Sequence, residues 1–393
     1  MNKKDIAAIR KQFKLDNDLL TLTNIYNVYI RKESSEIYHE ESQPFSMLER
    51  EHQDLFMTNF KKVLTGRLDV KLFEVKFQHS EAEDHTQLIL NEALKTTDVE
   101  EWKEHMMNIA LKMVEDVQYE KDLVITFIRG EYFKPTKRHS EETEVNERDE
   151  VYTHPFILCS MNQTEPPKKS LVFDYIEKEF KSNMMIDPII NLATPIGGFL
   201  FPCFTDHAAD VNHILYTAGK PNKPDVDFIE TVLNGEEIMT AQDDKAVFEE
   251  IVKEVIGGEL DTPTLSNVYE EIHQMLDDEE AEEEVTPTLD SKAVEHVLKM
   301  SGVQDIDAEK VEMAFHKIVD DEKYEMKASN VVPNYNTKSI KINTKVANIT
   351  ISPQDLKYVR QINLNGKRCL VIEVEEDTMI EGFKLIQEET LRY

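Results

Sequence analysis

The stretch from Met184 to Phe204, MMIDPIINLATPIGGFLFPCF, constrains the fold most, because it carries one charge, Asp187, in a chain that is 31% charged. Such a stretch belongs either in a membrane or in a core. Pro188, Pro195, Pro202 and the pair Gly197-Gly198 interrupt it, whereas a membrane-spanning helix needs about 20 uninterrupted apolar residues, so it reads as interior. Within it GFLFPCF predicts a short buried strand, since aromatic and branched residues bounded by turn signals favour that state.

Helix and strand signals mix on both sides of this stretch. Ile6, Ile9 and Phe13 share one helical face, and IYNVYI and SSEIYH then predict two antiparallel strands. Ser46 is placed to cap a helix with the stripe Leu55, Phe56, Phe60, Val63 and Leu64, and Gly66 to end it in the left-handed conformation. KLFEVKF predicts a strand, and TDVE from Thr97 a capping box for a helix carrying Val99, Trp102, Met106, Ile109, Met113 and Val117. DLVITFIRGEYF, PFILCSM and HILYTAG predict further strands, with Lys137 to Glu150 as the loop between the first two.

Val247, Phe248, Ile251, Val252, Val255 and Ile256 form a second stripe, ending at Gly257-Gly258. Thr262 before Pro263 predicts the start of a helix with Leu265, Val268, Tyr269, Ile272 and Leu276. Asp277 to Glu284, DDEEAEEE, predicts a solvated linker, and two helices are expected near Asp290 to Met300 and Asp307 to Val319. VANITIS and a hairpin turning at Asn365-Gly366 close the chain.

The expected fold is therefore α+β: antiparallel strands and hairpins packed with amphipathic helices, plus a small β-rich C-terminal module. The expected divisions are an α+β unit over 1–195, a second over 196–276, an acidic linker with a helical pair over 277–328, and the β-rich module over 329–393. LFMTNFKKVLTGRLD from Leu55 also aligns with VFEEIVKEVIGGELD from Val247, which raises duplication of one unit as an expectation. The competing explanation is that any amphipathic helix closed by glycine looks like any other.

Five stretches, MNKKDIAAIRKQFKLDN, YIRKESSEIYHE, TFIRGEYFKPT, GFLFPCFTDHAADVNHILYT and NLNGKRCLVIEVEED, together resemble an uncharacterised bacterial family, known mainly from Firmicutes and catalogued as a domain of unknown function. The resemblance spans essentially the whole chain. It implies a bacterial cytoplasmic protein and supplies no activity, cofactor or site.

The net charge of −32 repels phosphate backbones and anionic lipids, so neither direct nucleic-acid binding nor a membrane surface is expected. Cys159, Cys203 and Cys369 lie far apart without CxxC, and the N-terminus holds no apolar signal stretch, which together point to a reducing cytoplasm. There is no GxxxxGK[ST], GxGxxG, GxSxG or HExxH, and 11 glycines leave little material for phosphate-cradling loops.

In CFTDHAADVNH the residues Cys203, Asp206, His207, Asp210 and His213 gather metal-ligand types, and a helix there would put Asp206, Asp210 and His213 on one face. Their spacing matches no ligand signature, so no tightly bound metal and no cofactor is expected. RGEYFKPTKRH offers a basic and aromatic patch (Arg129, Tyr132, Phe133, Lys134, Lys137, Arg138, His139), but EETEVNERDE follows and cancels its field. What remains is a cytoplasmic, non-catalytic protein acting through contacts with other proteins, basic ones included, for which the acidic run would be a docking strip. The alternatives are a metal-assisted hydrolase centred on Cys203 to His213, and an acidic mimic that occupies a nucleic-acid-binding protein.

Overall fold

The computed structural model describes the chain apart from residues 81, 136–150, 168, 185–186, 205–207, 259, 278–286, 320–323, 336, 365, 375–377, 381–382 and 386–393. Two compact units emerge, Met1–Thr240 and Ala241–Tyr393. The first contains, in chain order, α1 (Lys3–Gln12), β1 (Leu20–Ile30), β2 (Ile37–Pro44), α2 (Arg50–Val63), β3 (Leu72–Lys76), α3 (Thr86–Lys95), α4 (Val99–Val114), β4 (Leu123–Pro135) and β5 (Val151–Glu165). It continues with β6 (Lys169–Asp174), β7 (Glu179–Met184), β8 (Ile189–Ile190), β9 (Gly197–Phe201), β10 (Cys203–Phe204), β11 (Ala209–Asp210) and β12 (His213–Ala218).

Among the described residues, seven of these strands form one antiparallel sheet in the order β2-β1-β4-β5-β9-β12-β3, and β8 pairs with β5 beside that path. Strand periodicity sends alternate side chains to opposite faces. Tyr26, Val28, Phe127, Cys159, Phe199 and Phe201 meet Trp102, Met106, Ile109 and Met113 of α4 and Leu90 of α3. On the other face Ile25, Ile128, Leu158, Leu200 and Leu215 meet Ile6 and Ile9 of α1 and Phe60 and Val63 of α2. The result is three layers with helices on both sides, and for that reason β9 is buried at every position.

A bulge in β1 between Leu22 and Asn24 shifts the register against β4. The extra residue lets Leu20 and Leu22 share a face with Ile25, which strict alternation would forbid. Gly198 is required by close approach: a Cβ there would lie 2.3 Å from the Cys159 carbonyl oxygen of the neighbouring strand.

The second unit contains α5 (Ala241–Ile256), α6 (Thr262–Asp277), β13 (Thr288–Leu289), α7 (Ser291–Met300), α8 (Ala308–Ile318), β14 (Met326–Lys327) and α9 (Ala328–Val331). Two hairpins follow, β15 (Ile340–Asn343) with β16 (Asn348–Ile351) and β17 (Val359–Leu364) with β18 (Lys367–Ile372). Phe248, Ile251, Val255, Val268, Ile272, Val297 and Val311 form its core. Buried Asp244 ties α5 to α9, accepting from Tyr324 Oη at 2.5 Å and Asn330 Nδ2 at 2.7 Å. Asp290 and Asp307 cap α7 and α8 through their carboxylates.

The α+β class agrees with expectation, and several local details differ. Helix α2 begins after Glu49 with no side-chain cap, so Ser46 does not cap it. Gly66 keeps a negative φ, and the left-handed residue nearby is Asp69 at φ 58°. Asp98 rather than Thr97 caps α4, accepting from the N–H groups of Glu100 and Glu101. Gly257, at φ 69°, does end α5 in the left-handed conformation.

The compact units divide at 240/241, whereas the expected divisions were at 195/196, 276/277 and 328/329. The reason is strand pairing, which carries β9 and β12 back beside β5 and β3 of the first unit. Helix α2 packs on strands β5 and β9, while α5 packs on α8, α9 and β14, so the two similar segments have different kinds of neighbour. The acidic run 278–284 lies outside the described residues, as does the loop 137–150. Among the described residues no helix is long and apolar enough to cross a membrane.

Candidate functional site

The expected metal-ligand constellation is only partly brought together. β10 and β11 pair so that Cys203 stands opposite Asp210, and His213 Nδ1 donates to Asp210 Oδ2 at 2.6 Å. Ala209–Asp210 is a short strand, not the helix that would align Asp206, Asp210 and His213. Asp206 and His207 lie outside the described residues. Burial works to raise the Asp210 carboxyl, but the Asn212 N–H at 2.9 Å and His213 outweigh it and hold the group below the usual carboxylate range. Burial pushes the Cys203 thiol well up, with the carboxylates of Glu74 and Asp210 adding to the effect. A free thiol so placed is a poor nucleophile. Among the described residues no three His, Cys, Asp or Glu side chains are placed to hold a metal ion.

The basic and aromatic patch is divided by the pleat of β4. Arg129 reaches over the Trp102 ring at 5.1 Å, donating from Nε to Asn24 Oδ1 at 2.9 Å and from a terminal nitrogen to the Thr96 carbonyl at 3.1 Å. Tyr132 and Lys134 point to the opposite face, where Lys134 Nζ pairs with buried Asp5 at 2.8 Å. Lys137, Arg138 and His139 lie outside the described residues. The basic groups nearest the sheet thus act as internal ties.

Beside that ion pair His154 stacks on Phe204 at 5.1 Å, and its Nε2 has no hydrogen-bond partner among the described residues. His85 packs edge-on against Phe77. Burial lowers both imidazoles below the ordinary histidine pKa, with Lys112 adding for His85 and Lys134 for His154. The unfolded chain therefore takes up these protons first. Their contribution to stability is fully present above about pH 6.5 and is lost as pH falls through the folded values. The urea midpoint should drop between about pH 7.5 and about pH 5.5, and drop less in His154→Phe. Equal drops in the two proteins would refute a role for His154.

The hairpin β6–β7 was not singled out by sequence patterns, and it carries the most exposed apolar surface of the first unit. Its strands pair with each other from Lys169↔Met184 to Asp174↔Glu179, and with no other strand among the described residues. Asp174 Oδ1 accepts from the N–H groups of Ile176 at 2.8 Å and Glu177 at 3.1 Å, Lys178 turns the chain at φ 56°, and Lys181 pairs with Asp174. Phe173 and Phe180 are cross-strand partners with ring centroids 5.2 Å apart, and Tyr175 meets Phe173 at 5.3 Å. Leu171 is 71% exposed, Phe180 73%, Tyr175 85% and Ile176 93%. The signal that could have found this face is the alternation of Leu171, Phe173 and Tyr175. It is hidden because Val172 and Ile176 are apolar as well.

A family model described as a domain of unknown function (DUF4317) matches residues 1–383, and the chain belongs to this family. No curated protein and no solved structure matches it.

Proposed function

We propose that this family member is a cytoplasmic protein that acts without catalysis, by binding another protein through the apolar face of the β6–β7 hairpin. The observation that carries this reading is the apolar surface of Leu171, Phe173, Tyr175 and Phe180 on a ribbon whose strands pair with no other strand among the described residues. An isolated two-stranded ribbon is marginally stable in water, so one built with this much exposed apolar area gains most from being covered. Its local charge supports the same reading: Lys169, Lys178 and Lys181 balance Asp174, Glu177 and Glu179, while the chain as a whole carries −32. A partner strand could add to either edge and bury its own apolar side chains against the ring cluster.

The combined replacement Tyr175→Ser, Ile176→Ser and Phe180→Ser tests this, because these side chains touch little else. Capture of partners by the variant should fall about tenfold or more, the scale of a lost hot-spot cluster, while its unfolding midpoint stays near wild type. Capture by wild type should also persist at about 1 M salt, because apolar contact is not screened. Equal capture by the two proteins contradicts the proposal.

A further inference from the structure

We infer that the β15–β16 ribbon of the second unit is a binding site for double-stranded DNA. The chain is acidic as a whole, yet from Lys338 to Arg368 seven lysines and arginines face one acidic residue, Asp355, for a local charge of +6. All seven are exposed.

Two of the seven, Lys341 and Lys345, belong to the β15–β16 ribbon, and its pairing sorts its residues by face. Ile340 pairs with Ile351 and Ile342 with Ile349, so one face holds four half-buried isoleucines. Lys341 pairs with Thr350 and Asn343 with Asn348, so the other face is polar, basic and exposed. The turn is fixed by Thr344, whose Oγ1 accepts from the Ala347 N–H at 2.8 Å, and Lys345 stands at the tip. Among the described residues neither Lys341 nor Lys345 has a carboxylate at ion-pair distance, while Arg360 of the next hairpin pairs with Glu373 at 3.3 Å.

Three physical points select the occupant. A two-stranded ribbon fits the DNA major groove, which is about 12 Å wide, and does not fit the deep narrow major groove of duplex RNA. Lysine, asparagine and threonine are the residue types that contact phosphates and base edges. Protein contacts are anchored by aromatic and arginine side chains, and this face has neither. The overall negative charge does not forbid the encounter, since fields from acidic groups more than about 10 Å away are largely screened at 0.1 M salt.

The test is fluorescence anisotropy of a labelled mixed-sequence DNA duplex with the full chain, at about 50 mM and about 200 mM salt. Wild type should bind, and more weakly at the higher salt. Lys341→Glu with Lys345→Glu should bind about tenfold more weakly or worse, with a salt slope shallower by about 1.8, at about 0.9 per lost phosphate contact. Lys61→Glu with Lys62→Glu, on α2, should leave binding unchanged. Absence of wild-type binding at the lower salt, equal binding by the ribbon variant, or displacement of DNA by poly-glutamate in preference to unlabelled duplex would overturn the inference.

Discussion

Replacing Trp102 with alanine should destabilise the first unit by about 3–5 kcal/mol, the usual cost of deleting a large buried aromatic side chain. Trp102 is fully buried on α4, meets Tyr26 edge-on with centroids 6.4 Å apart, and lies beneath the Arg129 guanidinium. Its loss would leave a cavity against the sheet and remove the cation–π contact that helps hold Arg129 to Asn24 and Thr96. Because Trp102 is the single tryptophan of the chain, urea unfolding should be followed by circular dichroism. A loss below about 1 kcal/mol would mean that α4 does not pack on the sheet as described.

The second large effect is expected at Asp5. Its carboxylate pairs with Lys134 Nζ at 2.8 Å, and the side chains of the pair are 3% and 11% exposed. Asp5→Ala removes the carboxylate that pairs with the Lys134 ammonium in the interior and should cost about 3–5 kcal/mol. Part of that cost is the reciprocal cap, since Asp5 also accepts from the Asn2 N–H at 3.1 Å. Replacing both partners, Asp5→Leu with Lys134→Met, should recover much of the loss, because a buried ion pair is often matched by apolar side chains of similar volume. A double variant as unstable as Asp5→Ala would place the cost in the cap and not in the broken ion pair.

Local periodicity made the elements legible and left their assembly hidden. The strands around Ile25, Ile125, Leu158, Phe199 and Leu215 are visible because apolar branched and aromatic residues recur there between turn signals. Asp290 and Asp307 announce their helices because a carboxylate before an apolar stripe satisfies free backbone N–H groups. The pairing of β3 with β12 was not legible, since the two strands are far apart in sequence and no local rule selects that partner. The same long-range pairing sets the division at 240/241. Gly66 misled because a glycine just after a helix suggests a left-handed stop, and here Asp69 takes that conformation three residues later.

The site was less legible than the fold. Types alone draw attention to Cys203, Asp210 and His213, but burial of the thiol, a tertiary property, disfavours its thiolate form. Arg129 and Lys134 read as one patch because sequence adjacency hides the pleat that sends them to opposite faces. Tyr175 and Ile176 went unnoticed because apolar residues are assumed to be inside, and exposure is known only once the neighbours are placed.

The most direct test of the hairpin as a contact surface is photocrosslinking in living cells with a photoreactive phenylalanine analogue placed at Ile176. The control position is Leu111, which is 50% exposed and belongs to a different element, α4. A discrete adduct with another polypeptide from position 176 and none from position 111 is the predicted result. Adducts of equal yield from both positions, or none from position 176, would contradict the hairpin's role in binding.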